Sequence, residues 1–116
     1  MAVLIPTFLR CEYHVNPLGI GVTKPRLSWI VESSQRAQIQ SAYQIIAASS
    51  EENLLTGKGD LWDSGKVESN QTAHVVYGGE ALRSRQRVFW KVKIWDKTGK
   101  TSVSDHAWFE TGLLDH

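Results

Sequence analysis

The chain has a single cysteine, Cys11, so no internal disulfide can form and the fold must hold by packing alone. That fits a reducing compartment. Charge of one sign is missing too: thirteen basic residues face twelve acidic ones, leaving a formal net charge of +1. With no global field to draw in a polyanion, no nucleic-acid partner is expected. No apolar run approaches the ~20 residues of a membrane span, so no membrane partner is expected either. The opening stretch Met1-Ala2-Val3-Leu4-Ile5-Pro6 is apolar but lacks a basic n-region and is interrupted by Pro6. It reads as a leader or flexible tail and not as a secretory signal, which makes the cytoplasm the expected location.

Chemistry-bearing constellations are equally scarce. His14, His74, His106 and His116 are scattered, and no Cys or His stands at zinc spacing, so no metal or other cofactor is expected. Gly57-Lys58-Gly59 lacks the rest of a phosphate loop. Asn70-Gln71-Thr72 is a formal glycosylation sequon, which matters only in a secreted eukaryotic protein. Asp60 and Asp63 flank a predicted turn, where Asp carboxylates ordinarily accept local backbone N–H groups. Glycoside hydrolysis would instead need two carboxylates ~5 Å or ~6.5–9.5 Å apart across a sugar site. Ser104-Asp105-His106 holds the residue types of a hydrolytic triad, but strand neighbours point to opposite faces and cannot relay a proton. No catalytic residue is assigned.

What the chain does have is a period of two. A hydrophobic fraction of 41% and a charged fraction of 22% are ordinary for a globular protein and argue against disorder. Its 116 residues fit one domain of the usual ~100–150 residues. Leu9, Cys11, Tyr13 and Val15 alternate with polar residues until Asn16-Pro17-Leu18-Gly19 breaks the run. A second strand carries Leu27, Trp29 and Val31 on one face, and residues 33–41 read as a polar loop. Ala42–Ala48 is apolar on both faces, as a central strand would be. A helical turn is predicted after the N-cap candidate Ser50, ended by Gly57. Short strands follow near Leu61–Val67 and Thr72–Tyr77, then Arg87–Trp95, the turn Asp96–Gly99, and a last strand at Ala107–Gly112. Roughly seven strands with turns every ten residues or so predict an all-β sandwich. The expected bounds are an N-terminal tail at 1–8, the sandwich at 9–112 and a C-terminal tail at 113–116, with a core around Trp29, Tyr43, Ile45, Trp90, Val92, Ile94 and Phe109. Trp62 is expected to be partly buried.

Arg83, Arg85, Arg87, Phe89, Lys91, Lys93 and Trp95 share one parity, opposite to the core residues Val88, Trp90, Val92 and Ile94. On a straight strand they make a basic stripe ending in an aromatic on the outer sheet face. Three readings stay open. Lysine stems could cover Phe89 and Trp95 on a solvated face. The stripe could be an interdomain contact, for which Trp and Arg are favoured anchors. Or it could bind a sugar or polyanion, with Trp95 or Trp108 stacked on a pyranose ring.

Trp29 on the second strand, with Trp90-x-Val92-x-Ile94 followed by Gly99 and Ser102, resembles a fibronectin type III domain. Six further stretches are similar to the N-terminal module of bacterial α-L-rhamnosidases of glycoside hydrolase family 78. They are Leu9–Tyr13, Asn16–Ile20, Pro25–Trp29, Ala42–Ile45, Leu61–Val67 and Arg83–Arg87. The resemblance spans residues 9–112 and implies an immunoglobulin-like or fibronectin type III β-sandwich. It also implies that hydrolysis of terminal α-L-rhamnose belongs to a separate, later helical-barrel domain, and that this chain is a non-catalytic accessory domain. Its expected partners are the other domains of the parent enzyme. A carbohydrate-binding module that recognises a rhamnose-containing saccharide, and an independent protein-binding module, are the alternatives.

Overall fold

The computed structural model describes residues 4–12, 14–21, 24–33 and 40–113. In chain order the elements are β1 (Leu4–Cys11), β2 (Arg26–Ser33), β3 (Ala42–Ala48), α1 (Glu51–Leu55), β4 (Trp62–Asp63), β5 (Val75–Val76), β6 (Arg87–Trp95), β7 (Thr101–Val103) and β8 (Ala107–Glu110). They form two antiparallel sheets, one ordered β1-β2-β5 and the other β4-β3-β6-β7, with β8 also paired to β6. The expected loop at 33–41 falls mainly on residues outside those described.

β6 is the axis of the larger sheet. Its even positions, Val88, Trp90, Val92 and Ile94, are buried against the other sheet, while its odd positions are half-exposed. The seven expected core residues are all buried. Trp29 meets Tyr43 edge-on, with ring centroids 5.3 Å apart. Its indole N–H donates to the buried Gln40 Oε1 at 3.0 Å, and Gln40 Nε2 donates to the Ser69 and Gln71 carbonyls. A buried polar side chain is thereby satisfied on every side.

The strand expected at Ala107–Gly112 is β8, and β7, which the alternation did not reveal, precedes it along the same side of β6. Lys93 faces Val103 and Trp90 faces Ala107, so one extra residue enters between them. Such a bulge breaks the ladder locally. Ser104 repairs the break: its N–H donates to the Val92 carbonyl and its Oγ accepts from the Val92 N–H at 3.0 Å.

Two expectations at the N-terminus are corrected. The strand begins at Leu4, not after a tail ending at residue 8, and pairs with β2 from Leu4↔Ser33 through Pro6↔Val31. Pro6 does not interrupt it because β1 is an edge strand, where a missing N–H on the free side costs no ladder bond. The alternation expected through Val15 also fails. β1 carries an irregularity between Thr7 and Arg10, with Phe8 at φ +51°, and ends at Cys11; Val15 is exposed, and Tyr13 lies outside the described residues. The chain then changes sheets. Trp108 N–H donates to Asn16 Oδ1, Glu110 N–H to the Pro17 carbonyl and Ile20 N–H to the Glu110 carbonyl, so residues 16–20 run along the free edge of β8.

Candidate functional site

The outer face of the larger sheet is set by the register of β6. Arg87 stands opposite Glu110 and Phe89 opposite Trp108 on β8, while Lys91 and Lys93 stand opposite Ile46 and Gln44 on β3. Arg87, Phe89, Lys91, Lys93, Trp95 and Trp108 therefore share one face, as the parity predicts. Arg83 and Arg85 do not join it. The straight run begins only at Arg87, because residues 83–86 form a turn in which Arg85 adopts φ +55° and donates its N–H to the Gly112 carbonyl. Arg83 is bound there by its N–H to Gln86 Oε1. A parity count across that turn has no meaning, since the residues before it are not extended.

The remaining face is already occupied by its own side chains. The Arg87 guanidinium lies 4.2 Å from the centroid of the Trp108 ring and pairs with Glu110 at 3.2 Å. Lys93 and Lys66 place their ammonium groups 5.0 and 5.1 Å from the Trp95 ring centroid. α1 packs on β3 and β6, and Glu51 at its start pairs with His106 at 3.4 Å. Leu54 of α1 and the outward-parity Ala48 are both fully buried, so the helix roofs the sheet beside Phe89. Cations therefore cover the Trp95 and Trp108 rings, while Phe89 lies beside the helix.

The remaining candidates are structural. Asp60 accepts from the N–H and Oγ of Ser49, and Asp63 from the Gly65 N–H and Gln44 Nε2. Ser104 is engaged at the bulge and His106 with Glu51, so these two of the three neighbouring triad residue types have separate tasks. Among the described residues, no group of three or more His, Cys, Asp or Glu could hold a metal ion. No helix among the described residues is long and apolar enough to cross a membrane. The Cys11 thiol is buried, and burial together with the neighbouring Glu12 charge pushes its pKa up to about 12, which leaves it without thiolate reactivity.

One surface was missed from the sequence. Ile5, Phe8, Val15 and Val103 line a cleft of about 360 Å³ between β1 and β7, at the edge where the chain has not yet changed sheets. The available signal was the run Leu4-Ile5-Pro6-Thr7-Phe8-Leu9, which is apolar at both parities and so carries more apolar side chains than one inward face can take.

The family model described as the Rha78A-like, N-terminal immunoglobulin domain matches residues 6–115. The chain belongs to this family. An α-L-rhamnosidase of Streptomyces avermitilis is 44% identical over 115 residues, which is 98% of this chain and 11% of that protein. Its crystal structure in complex with L-rhamnose superposes with a TM-score of 0.90, covering 96% of this chain and 11% of that one. An α-L-rhamnosidase of Formosa agariphila is 46% identical over 106 residues, 90% of this chain and 11% of its own. The α-L-rhamnosidase structure from Dictyoglumus thermophilum gives a TM-score of 0.90 at 39% identity, covering 94% of this chain and 12% of that one. The immunoglobulin-like domain thus spans about a tenth of the length of the relatives it matches.

Proposed function

We propose that this immunoglobulin-like domain is a non-catalytic accessory part of an α-L-rhamnosidase, packing against the rest of the enzyme and orienting it. The observation that carries the reading is the size of the match. A complete sandwich aligns with one tenth of several α-L-rhamnosidases at 44–46% identity, while its own acidic pair is tied up in turns. Rhamnoside hydrolysis is then the work of the parent chain, and the partners of this domain are the parent's other domains.

The test compares the parent enzyme with a version lacking residues 1–112. Deletion should lower the melting temperature of the remainder and its turnover of 4-nitrophenyl α-L-rhamnoside, and the domain alone should release no nitrophenol above a buffer blank. Hydrolysis by the domain alone, or a deletion that leaves both stability and turnover unchanged, would overturn the reading. Sugar binding has less support, because the Trp95 and Trp108 rings already hold cations. Retardation of the domain in a rhamnose-containing polysaccharide gel, abolished by Trp108→Ala, would restore it.

A further inference from the structure

We propose that the cleft between β1 and β7 is the surface on which another domain of the same rhamnosidase chain docks, with Phe8 as its anchor. The inference rests on the accessory reading above and assigns it a face. Ile5, Phe8, Val15 and Val103 are 46%, 56%, 60% and 49% exposed and converge on one concavity. Monomeric surfaces rarely gather large apolar side chains in this way without a partner.

The backbone adds a second observation. Phe8 is held at φ +51°, in the left-handed region where a Cβ-bearing aromatic is strained. The strain does not bury the ring, since Phe8 stays more than half exposed. A strained residue that presents an apolar ring to solvent is a recurrent mark of a binding site.

Of the five polar side chains that line the cleft, four are already used within the domain, and the fifth, Asp105, is exposed. Asn16 Oδ1 takes the Trp108 N–H, Ser104 Oγ takes the Val92 N–H, Thr7 Oγ1 donates to the Ile30 carbonyl, and His106 pairs with Glu51. A saccharide needs several such groups free for its hydroxyls, and Asp105 alone does not supply them beside four exposed apolar side chains, so the chemistry that fits is an apolar protein surface. The relatives supply the occupant: each carries most of its length outside the matched tenth, and that length is covalently attached to its domain. The outer face of the larger sheet is the weaker site, because its aromatics are capped by Arg87, Lys93 and Lys66.

The experiment is hydrogen exchange on the whole rhamnosidase chain that carries this domain, comparing wild type with the double variant Phe8→Gly/Val103→Ser. Glycine accepts the left-handed backbone, so this change removes the ring without adding strain. Peptides over 4–11 and 101–103 should exchange about tenfold faster, as should one contiguous stretch outside residues 1–116, the size expected when an interface anchor is lost. Peptides over β6 should be unchanged, which shows that the sandwich stays folded. If exchange outside residues 1–116 does not change, the proposal is wrong. A whole-domain deletion separates the two claims. If deletion alters exchange elsewhere and the double variant does not, docking uses another face and the accessory reading survives. If neither alters it, both fall. A wild-type dimer that the double variant converts to monomer would assign the cleft to a second copy and overturn the proposal as well.

Discussion

At Gly79 a Cβ would sit 2.3 Å from the Leu61 carbonyl oxygen, 2.4 Å from the Trp62 Cβ and 2.7 Å from the Tyr77 hydroxyl. None of these three atoms can swing away, since the Trp62 Cβ is set by its own backbone. The backbone of Leu61 is fixed because its carbonyl accepts from Glu80 N–H, and Tyr77 is fixed because its hydroxyl donates to the Glu80 carbonyl. Trp62 lies edge-on to Tyr77 at 5.3 Å, so the glycine lets an aromatic pair close the end of the sandwich. Gly79→Ala should therefore destabilise the domain by about 1–3 kcal/mol, the usual cost of forcing atoms into a packed interior. Gly21→Ala is the control, since nothing lies within 4 Å of its Cβ position. Thermal melts should show a drop of roughly 4 °C per kcal/mol for the first variant and little change for the second. Equal melting temperatures would mean that the Leu61–Gly79 approach is not tight in solution. The partial burial of Trp62 was legible from its short amphipathic stretch. The need for glycine at 79 was not, because it arises from contact between segments some seventeen residues apart.

Elements differ in how openly they announce themselves. Arg87–Trp95 obeys period two at every position, since both its sheet neighbours and the opposing sheet demand it. α1 is equally plain. Ser50 Oγ accepts from Asn53 N–H at 3.1 Å, and Gly57 at φ +81° ends the helix, with Gly57 N–H donating to Leu54 and Lys58 N–H to Asn53. β7 was missed, because three residues before a bulge show too little alternation to be read as a strand. The start of β1 was hidden by Pro6, and the cleft beside it by the irregularity at Phe8. The outer stripe was half legible: the parity from Arg87 onward was right, and the turn that removes Arg83 and Arg85 was not anticipated. Ser104 tests the bulge directly. Its Oγ is the acceptor for the N–H of fully buried Val92, and Ser104→Ala would leave that donor orphaned. The expected loss is about 1–3 kcal/mol, read as a lower urea midpoint with unchanged slope. A variant as stable as wild type would show that water replaces the hydroxyl.

At the scale of the whole molecule, three of the described carboxylates that tie segments together have their pKa lowered. Glu12 is lowered chiefly by the Arg26 side-chain hydrogen bond, which ties the turn after β1 to the start of β2. For Asp60, burial raises the pKa, but the hydrogen bonds from Ser49 and its neighbours outweigh it, joining the end of β3 to the chain after α1. Asp96 is lowered chiefly by the Thr98 side chain, then by the Thr98 and Lys100 N–H groups that close the β6–β7 turn. A carboxyl depressed in the folded state binds its proton more readily once unfolded. Its contribution is complete above the ordinary values of 4.5 for Glu and 3.8 for Asp, and is lost as pH falls through the lower folded values. The melting temperature should accordingly hold level from neutral pH down to about 5 and then decline. Asp96→Asn separates this cause from general acid repulsion. At neutral pH the amide accepts the same three donors more weakly than a carboxylate does, so the variant should melt below wild type. Once Asp96 is itself protonated, both side chains are neutral and nearly isosteric, and the gap between the two melting curves should close. A gap that stays constant to about pH 2.5 would mean that the charge on Asp96 does not hold the turn.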